Sequence, residues 1–171
     1  MAIDFKDIDF IKDAADDIRK MTSRPEFYEK VVKQAAILHA DNAEDLTRQQ
    51  RDPSGNPFPP LYKAYADHKQ QAVGNRRADM RYSGHAMDNM KIRQKGQNRS
   101  AEIYFDGKPS YAKESSGSYM YKNQKGIGRE ERRIFPEAKD ASSAPQMEVH
   151  QDVYEVLGKY LNQPRRINIV G

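Results

Sequence analysis

"RDPSGNPFPPLYKAYADHK", residues 51–69, decides how this chain is organised. Prolines at 53, 57, 59 and 60 lack a backbone N–H and push the residue before each away from the α conformation. A helical pattern arriving from the N-terminal side must therefore end near Asp52. It resumes over Leu61, Tyr62, Tyr65 and Ala66, with Pro60 suited to the first turn of the new helix. Phe58 and Leu61 flank the prolines and anchor the crossover to a core. On physical grounds alone the stretch reads as a rigid, apolar connector between two helices.

Upstream, Ile8, Ile11, Ala15 and Ile18 recur at helical spacing, which predicts a short amphipathic helix over residues 5–20. Ser23-Arg24-Pro25-Glu26 has the form of a capping box with proline in the first turn. From there Phe27, Val31, Ala35, Leu38 and Leu46 carry an apolar stripe to about Gln50, a helix of about 40 Å at 1.5 Å per residue. Downstream, Ser83 and Gly84 open a short helical turn. Met90 and Ile92, then Ala101, Ile103 and Phe105, alternate with polar residues as the two strands of a hairpin do. Arg133-Ile134-Phe135 and Ile167-Asn168-Ile169-Val170 read as further strands. Residues 106–128 read as one long basic loop. Val149, Val153, Val156, Leu157, Tyr160 and Leu161 mark a last helix, ending before Pro164.

The expectation is an α+β fold, a small mostly antiparallel sheet packed against a long N-terminal helix and a C-terminal helix. Residues 1–22 form a helical arm, 23–163 the core domain, and 164–171 a terminal strand or tail.

The composition predicts a thin core. Val, Ile, Leu and Phe supply 29 of 171 residues, and the net charge is only +4, so the chain is poor in aliphatics without being repelled into disorder. A domain of this kind gains stability by burying surface against copies of itself. Cysteine is absent, which excludes disulfides, thiolate metal sites and a cysteine nucleophile. Charges interrupt each apolar run, so no signal peptide or membrane span is expected. Residues 1–20 hold six Asp against four Lys/Arg, whereas 91–133 hold eleven Lys/Arg against five acids. The two regions are electrically opposite.

No cofactor and no catalytic constellation is expected. Gly126-Ile127-Gly128 lacks the third glycine and the strand-to-helix setting of a nucleotide fingerprint. His39, His68, His85 and His150 are scattered without metal-ligand spacing. Ser83, His85 and Asp88 stand too close in sequence to argue for a triad, so a small hydrolase around Ser83 and His85 is a weak rival. Lys108, Lys113, Lys122, Lys125 and Arg129, interleaved with Tyr111, Tyr119 and Tyr121, combine phosphate-neutralising charge with stacking rings. A nucleic-acid-binding module over residues 108–133 is thus the alternative reading. Glu130 and Glu131 beside Arg129, Arg132 and Arg133 read as a solvated charge cluster or an intersubunit ion-pair site.

Three segments, taken in order, carry a resemblance. "RDPSGNPFPPLYKAYADHK", "MRYSGHAMDNMKI" and "REERRIFPEAKD", with "PSYAKESSGS" between the last two, resemble the phage virion-morphogenesis or tail-completion proteins, similar to Mu-like and HK97-like neck and tail components. Pro53, Gly55, Phe58, Pro60, Leu61, Gly84 and Phe135 are the motif positions. Phe58 stands where tryptophan is common, and Arg132-Arg133-Ile134-Phe135 replaces a proline-arginine version.

The resemblance implies a non-enzymatic virion protein, assembled in the host cytoplasm. It would be a tail-terminator or head-tail joining subunit in a homo-oligomeric ring, hexameric by preference, between tail tube and head connector. Implied partners are other neck, tail-tube or connector proteins and DNA passing through the lumen, with no membrane. Lys108, Lys113, Tyr119, Tyr121, Lys122, Lys125, Arg129, Arg132 and Arg133 are the expected subunit or DNA-channel contacts. A ring needs heterologous contacts, and the acidic N-terminal helix and basic middle region are candidates for its two faces. Charge reversal at Arg132 and Arg133 is then expected to weaken assembly.

Overall fold

A nearly continuous helical rod runs from Pro25 to Arg48, as the apolar stripe predicts: α2 (Pro25–Phe27), a π-helical segment (Tyr28–Val32) and α3 (Lys33–Arg48). The computed structural model describes residues 15–80, 85–96, 100–108, 115–128 and 130–162, with His85 and Ala86 as backbone only. A helix over residues 15–22, α1, precedes the rod. The predicted capping box is not formed. The Ser23 hydroxyl donates to the Lys20 carbonyl at 2.9 Å, closing α1, and Arg24 occupies the N-cap of α2 without a side-chain bond, leaving Pro25 to start it.

Deep burial on α3 follows a line of small residues, Ala36, Ala40 and Ala43, with Leu46 and Thr47 at its end. The spacing keeps these side chains on one face. Their size lets α7 (Ala144–Leu161) and the hairpin β1 (Met90–Lys95) and β2 (Ser100–Phe105) approach the helix closely. The strands pair antiparallel with Met90 opposite Phe105 and Lys95 opposite Ser100. α7 packs on α3 and buries Gln146 and Val149, its Tyr160 meets Phe27 edge-on at 5.6 Å, and His150 faces His39 at 6.1 Å between ring centroids. Burial, and then the neighbouring His150, push the His39 imidazole below its ordinary value.

α3 stops at Arg48, earlier than the prolines require, because a Schellman motif ends it. Gln50 adopts a left-handed conformation (φ 61°), its N–H donates to Thr47, and the Arg51 N–H reaches the Leu46 carbonyl at 2.8 Å. α4 (Lys63–Val73) starts two residues later than predicted, and α5 (His85–Asp88) is the short turn expected before the hairpin. The core joins these pieces: Ala43, Phe58, Ala78, Met80, Met87, Met120 and Ile134, with Leu61, Met90, Phe105, Tyr119 and Phe135 packed against them. Three of its members are methionines, which fill irregular gaps where aliphatics are scarce.

Two expectations are overturned. Residues 106–128 are not one loop, since Ser116–Lys125 form a helix, α6. Ser115 caps it by accepting from the Ser118 N–H, and Gly126 ends it at φ 64°. Gly117 makes its packing possible, because a Cβ there would lie 3.1 Å from the Phe105 carbonyl oxygen. Nor is Arg133-Ile134-Phe135 a strand. Its backbone is satisfied by α6 instead: Gln124 Oε1 accepts from the Ile134 and Phe135 N–H groups at 2.7 and 3.1 Å, and Gln124 Nε2 donates to the Phe135 carbonyl. With its backbone bonds taken by one glutamine side chain, the segment has no need of the sheet. The strand predicted at 167–170, the first part of the N-terminal helix and Gly84 lie outside the described residues.

Candidate assembly surface and its internal brace

The connector of residues 51–60 is more polar than its prolines imply. Asp52 Oδ1 accepts from the N–H groups of Ser54 and Asn56, both at 2.9 Å, which folds the loop back on itself, with Gly55 at φ 86° making the turn. Pro53 is fully buried, and its carbonyl accepts from Ser143 Oγ at 3.0 Å and Gln146 Nε2 at 3.2 Å, tying the loop to the start of α7.

Arg133 closes the brace from the other side of the sequence. Its guanidinium donates to Asp140 Oδ2 at 2.5 Å and to Asp52 Oδ2 at 2.7 Å, and Asp140 Oδ1 also accepts from the Ser54 hydroxyl. Arg133 is 9% exposed and Asp140 1%. An arginine fork between two carboxylates is the geometry that a buried ion pair needs to offset its desolvation.

The brace gives the fold a dependence on acid. Burial alone would raise the Asp140 carboxyl, but the Arg133 guanidinium, the Glu137 N–H and the Ser54 hydroxyl outweigh it and hold the group at about 2. Because the folded value lies below the ordinary one, the contribution is fully present above about pH 4 and is lost as pH falls through about 2. Its size is about 2 kcal/mol. The urea midpoint of the wild type should drop between about pH 5 and 2 more steeply than that of Asp140→Asn. Parallel profiles would show that Asp140 is not the responsible group.

These contacts correct the reading of Arg132 and Arg133 as exposed contact residues. Both are buried, because each satisfies a fixed partner inside the chain. Arg132 Nη2 donates to the Pro59 and Pro60 carbonyls, both at 3.1 Å, strapping the end of the connector. The other predicted contacts scatter. Lys108 and Tyr121 are exposed, Lys122 is half-buried, Lys125 pairs with Glu137 at 3.0 Å, and Tyr119 packs on the core. Lys113 and Arg129 lie outside the described residues, as do Tyr111 and Ser83. Of the motif positions, Pro53 and Phe58 are buried, Leu61 is half-buried, Pro60 is exposed, and Phe135 stacks at a tilt on Phe105 at 5.8 Å.

What remains outward is a cleft that sequence reasoning missed. It has a volume of about 630 Å³ and brings together Tyr62 and Tyr65 from the start of α4, Tyr119 from α6, and Arg77, Glu130 and Arg132 from the connecting segments. α4 itself buries one residue, Lys69, whose Nζ donates to Asp79 Oδ1 and the Arg77 carbonyl, both at 2.5 Å. The remainder of the helix is exposed or half-buried. Tyr62, Tyr121, Met147 and Tyr154 are all more than half exposed. The signal available in the sequence was the pair of tyrosines at 62 and 65, which marked only the start of a helix.

Among the described residues no helix is long and apolar enough to cross a membrane, and no group of three or more metal-ligating side chains converges. Comparison with protein-family models, with curated proteins and with solved structures gives no match for this chain, so its function is argued from its own surfaces.

Proposed function

We propose that the chain is an architectural subunit of a tailed-phage neck, a tail-terminator or head-tail joining protein that works by closing into a ring. The observation that carries this reading is α4, an eleven-residue helix with a single buried position, standing beside an aromatic cleft. A helix so exposed has little packing of its own to hold it, and helices in proteins draw most of their stability from packing. The order of the motif segments along the chain supports the same reading.

The nucleic-acid alternative has less to draw on. Arg132 and Arg133 are turned inward and Lys125 is ion-paired with Glu137, which leaves few of the cations on which it relied.

Native mass spectrometry of the purified chain should show a closed oligomer, six copies by preference, or its formation on mixing with tail-tube or connector proteins. A chain that stays monomeric at high concentration and binds neither partner would overturn the proposal. DNA binding by that monomer, with affinity falling steeply as salt rises, would establish the alternative.

A further inference from the structure

The two buried guanidiniums are compensated differently. Arg133 has Asp52 and Asp140. Arg132 has only two backbone carbonyls, its buried Nε is without a hydrogen-bond partner, and among the described residues no carboxylate pairs with it. A buried cation without a counter-ion is costly, and an anion that reached it would be held strongly. Arg132 lines the cleft, and so does Arg77, which is exposed and among the described residues likewise pairs with no carboxylate; the cleft's one acid, Glu130, accepts instead from the Tyr62 hydroxyl at 3.4 Å. Two uncompensated guanidiniums among three phenol rings suit a carboxylate carried on an apolar helix face.

The chain carries such a segment. In α1, residues 15–20 are all exposed, Ile18 at 56%, and among the described residues no cation pairs with Asp17. The sequence before it repeats the theme, with Ile8 and Ile11 at the same helical spacing among Asp4, Asp7, Asp9 and Asp13. None of the residues of α1 lines the cleft of its own chain. We infer that the cleft receives α1 of a neighbouring copy, Ile18 against the tyrosines and Asp17 toward Arg77 and Arg132. The contact is heterologous, one surface meeting a different surface, which is what a ring requires. This inference rests on the ring-forming reading and assigns its joint.

The absence of cysteine permits a direct test. Asp17→Cys chains and Tyr62→Cys chains are prepared separately, mixed, and treated with a short bismaleimide. The mixture should give a covalent dimer that neither preparation gives alone. In the cysteine-free protein, Arg77→Glu and Asp17→Lys should each reduce the oligomer at least tenfold, and the two together should restore it.

Cross-linking only when both cysteines are in one chain would overturn the inference in favour of self-coverage. Oligomers without the cross-link would overturn it while leaving the ring reading in place. A salt-sensitive shift of single-stranded DNA, abolished by Arg77→Glu in a chain that gives no cross-link, would overturn it in favour of nucleic acid. Monomers at every concentration, alone and with the tail proteins, would remove the ring reading as well.

Discussion

Arg133→Ala should lower the stability of the fold by about 3–5 kcal/mol, because it leaves two carboxylates facing each other with no cation between them. Asp140 is fully buried and the Asp52 side chain is 16% exposed, so Asp140 gains no water and Asp52 little of what would compensate an exposed group. The loss is read as the shift of the urea midpoint at neutral pH. Arg133→Lys should recover less than half of it, since a single ammonium on a shorter side chain lacks the planar fork that reaches Asp140 through Nη1 and Asp52 through Nη2.

The control is Arg93→Ala. Arg93 pairs with Glu102 at a similar distance, 2.8 Å, but both side chains are solvated, and the expected cost is below about 1 kcal/mol. Equal effects at 93 and 133 would show that burial is not what gives the brace its weight. The same reasoning replaces the expectation that charge reversal at 132 and 133 weakens assembly. Reversal at 133 should unfold the subunit before assembly is reached.

The second large effect is expected at Lys69. Its Nζ holds Asp79 and the Arg77 carbonyl, and it is the single buried residue of α4. Lys69→Ala should cost about 3 kcal/mol and leave Asp79 buried without its cation. Because α4 has no other deep contact, the damage should be local as well as global. Amide exchange over residues 63–73 should rise by more than it does in α3 or α7.

Replacing both partners, Lys69→Met with Asp79→Leu, should recover most of the stability, since well-packed apolar residues of similar size often match a buried ion pair. Failure of the double replacement to improve on Lys69→Ala would mean that the ion pair itself, rather than the penalty of breaking it, supports the helix.

Much of the architecture was legible because it depends on local rules. Proline spacing placed the crossover after the long helix, alternation placed both strands of the hairpin within a residue or two, and the 3.6-residue period placed α7. α6 was invisible for a physical reason. Its inward face is Ser116, Met120 and Asn123, a helical spacing with one apolar residue in three, and a periodicity search responds to apolar residues. Its start at Ser115 and its end at Gly126 were the legible signals, and a capped segment with no stripe still reads as a loop. Of the predicted stripe, Val31 and Leu46 are buried while Ala35 and Leu38 are half-buried, and the deep line between them is Ala36, Ala40 and Ala43, because the sequence shows size while close approach rewards smallness.

By itself the sequence determined the fold class, the long helix, the hairpin and the last helix, the poverty of the core and the opposition of an acidic start to a basic middle, all of which follow from residue type and near-neighbour spacing. Only the tertiary structure decided which charges face inward. Asp52 and Arg133 stand 81 residues apart, and their meeting depends on where α6 and the start of α7 hold two loops. An arginine in the sequence carries the same charge whether it sits in water or in a core. Its role is set by the long-range packing that removes the water, and that packing turned two expected surface contacts into an internal brace and a cleft wall.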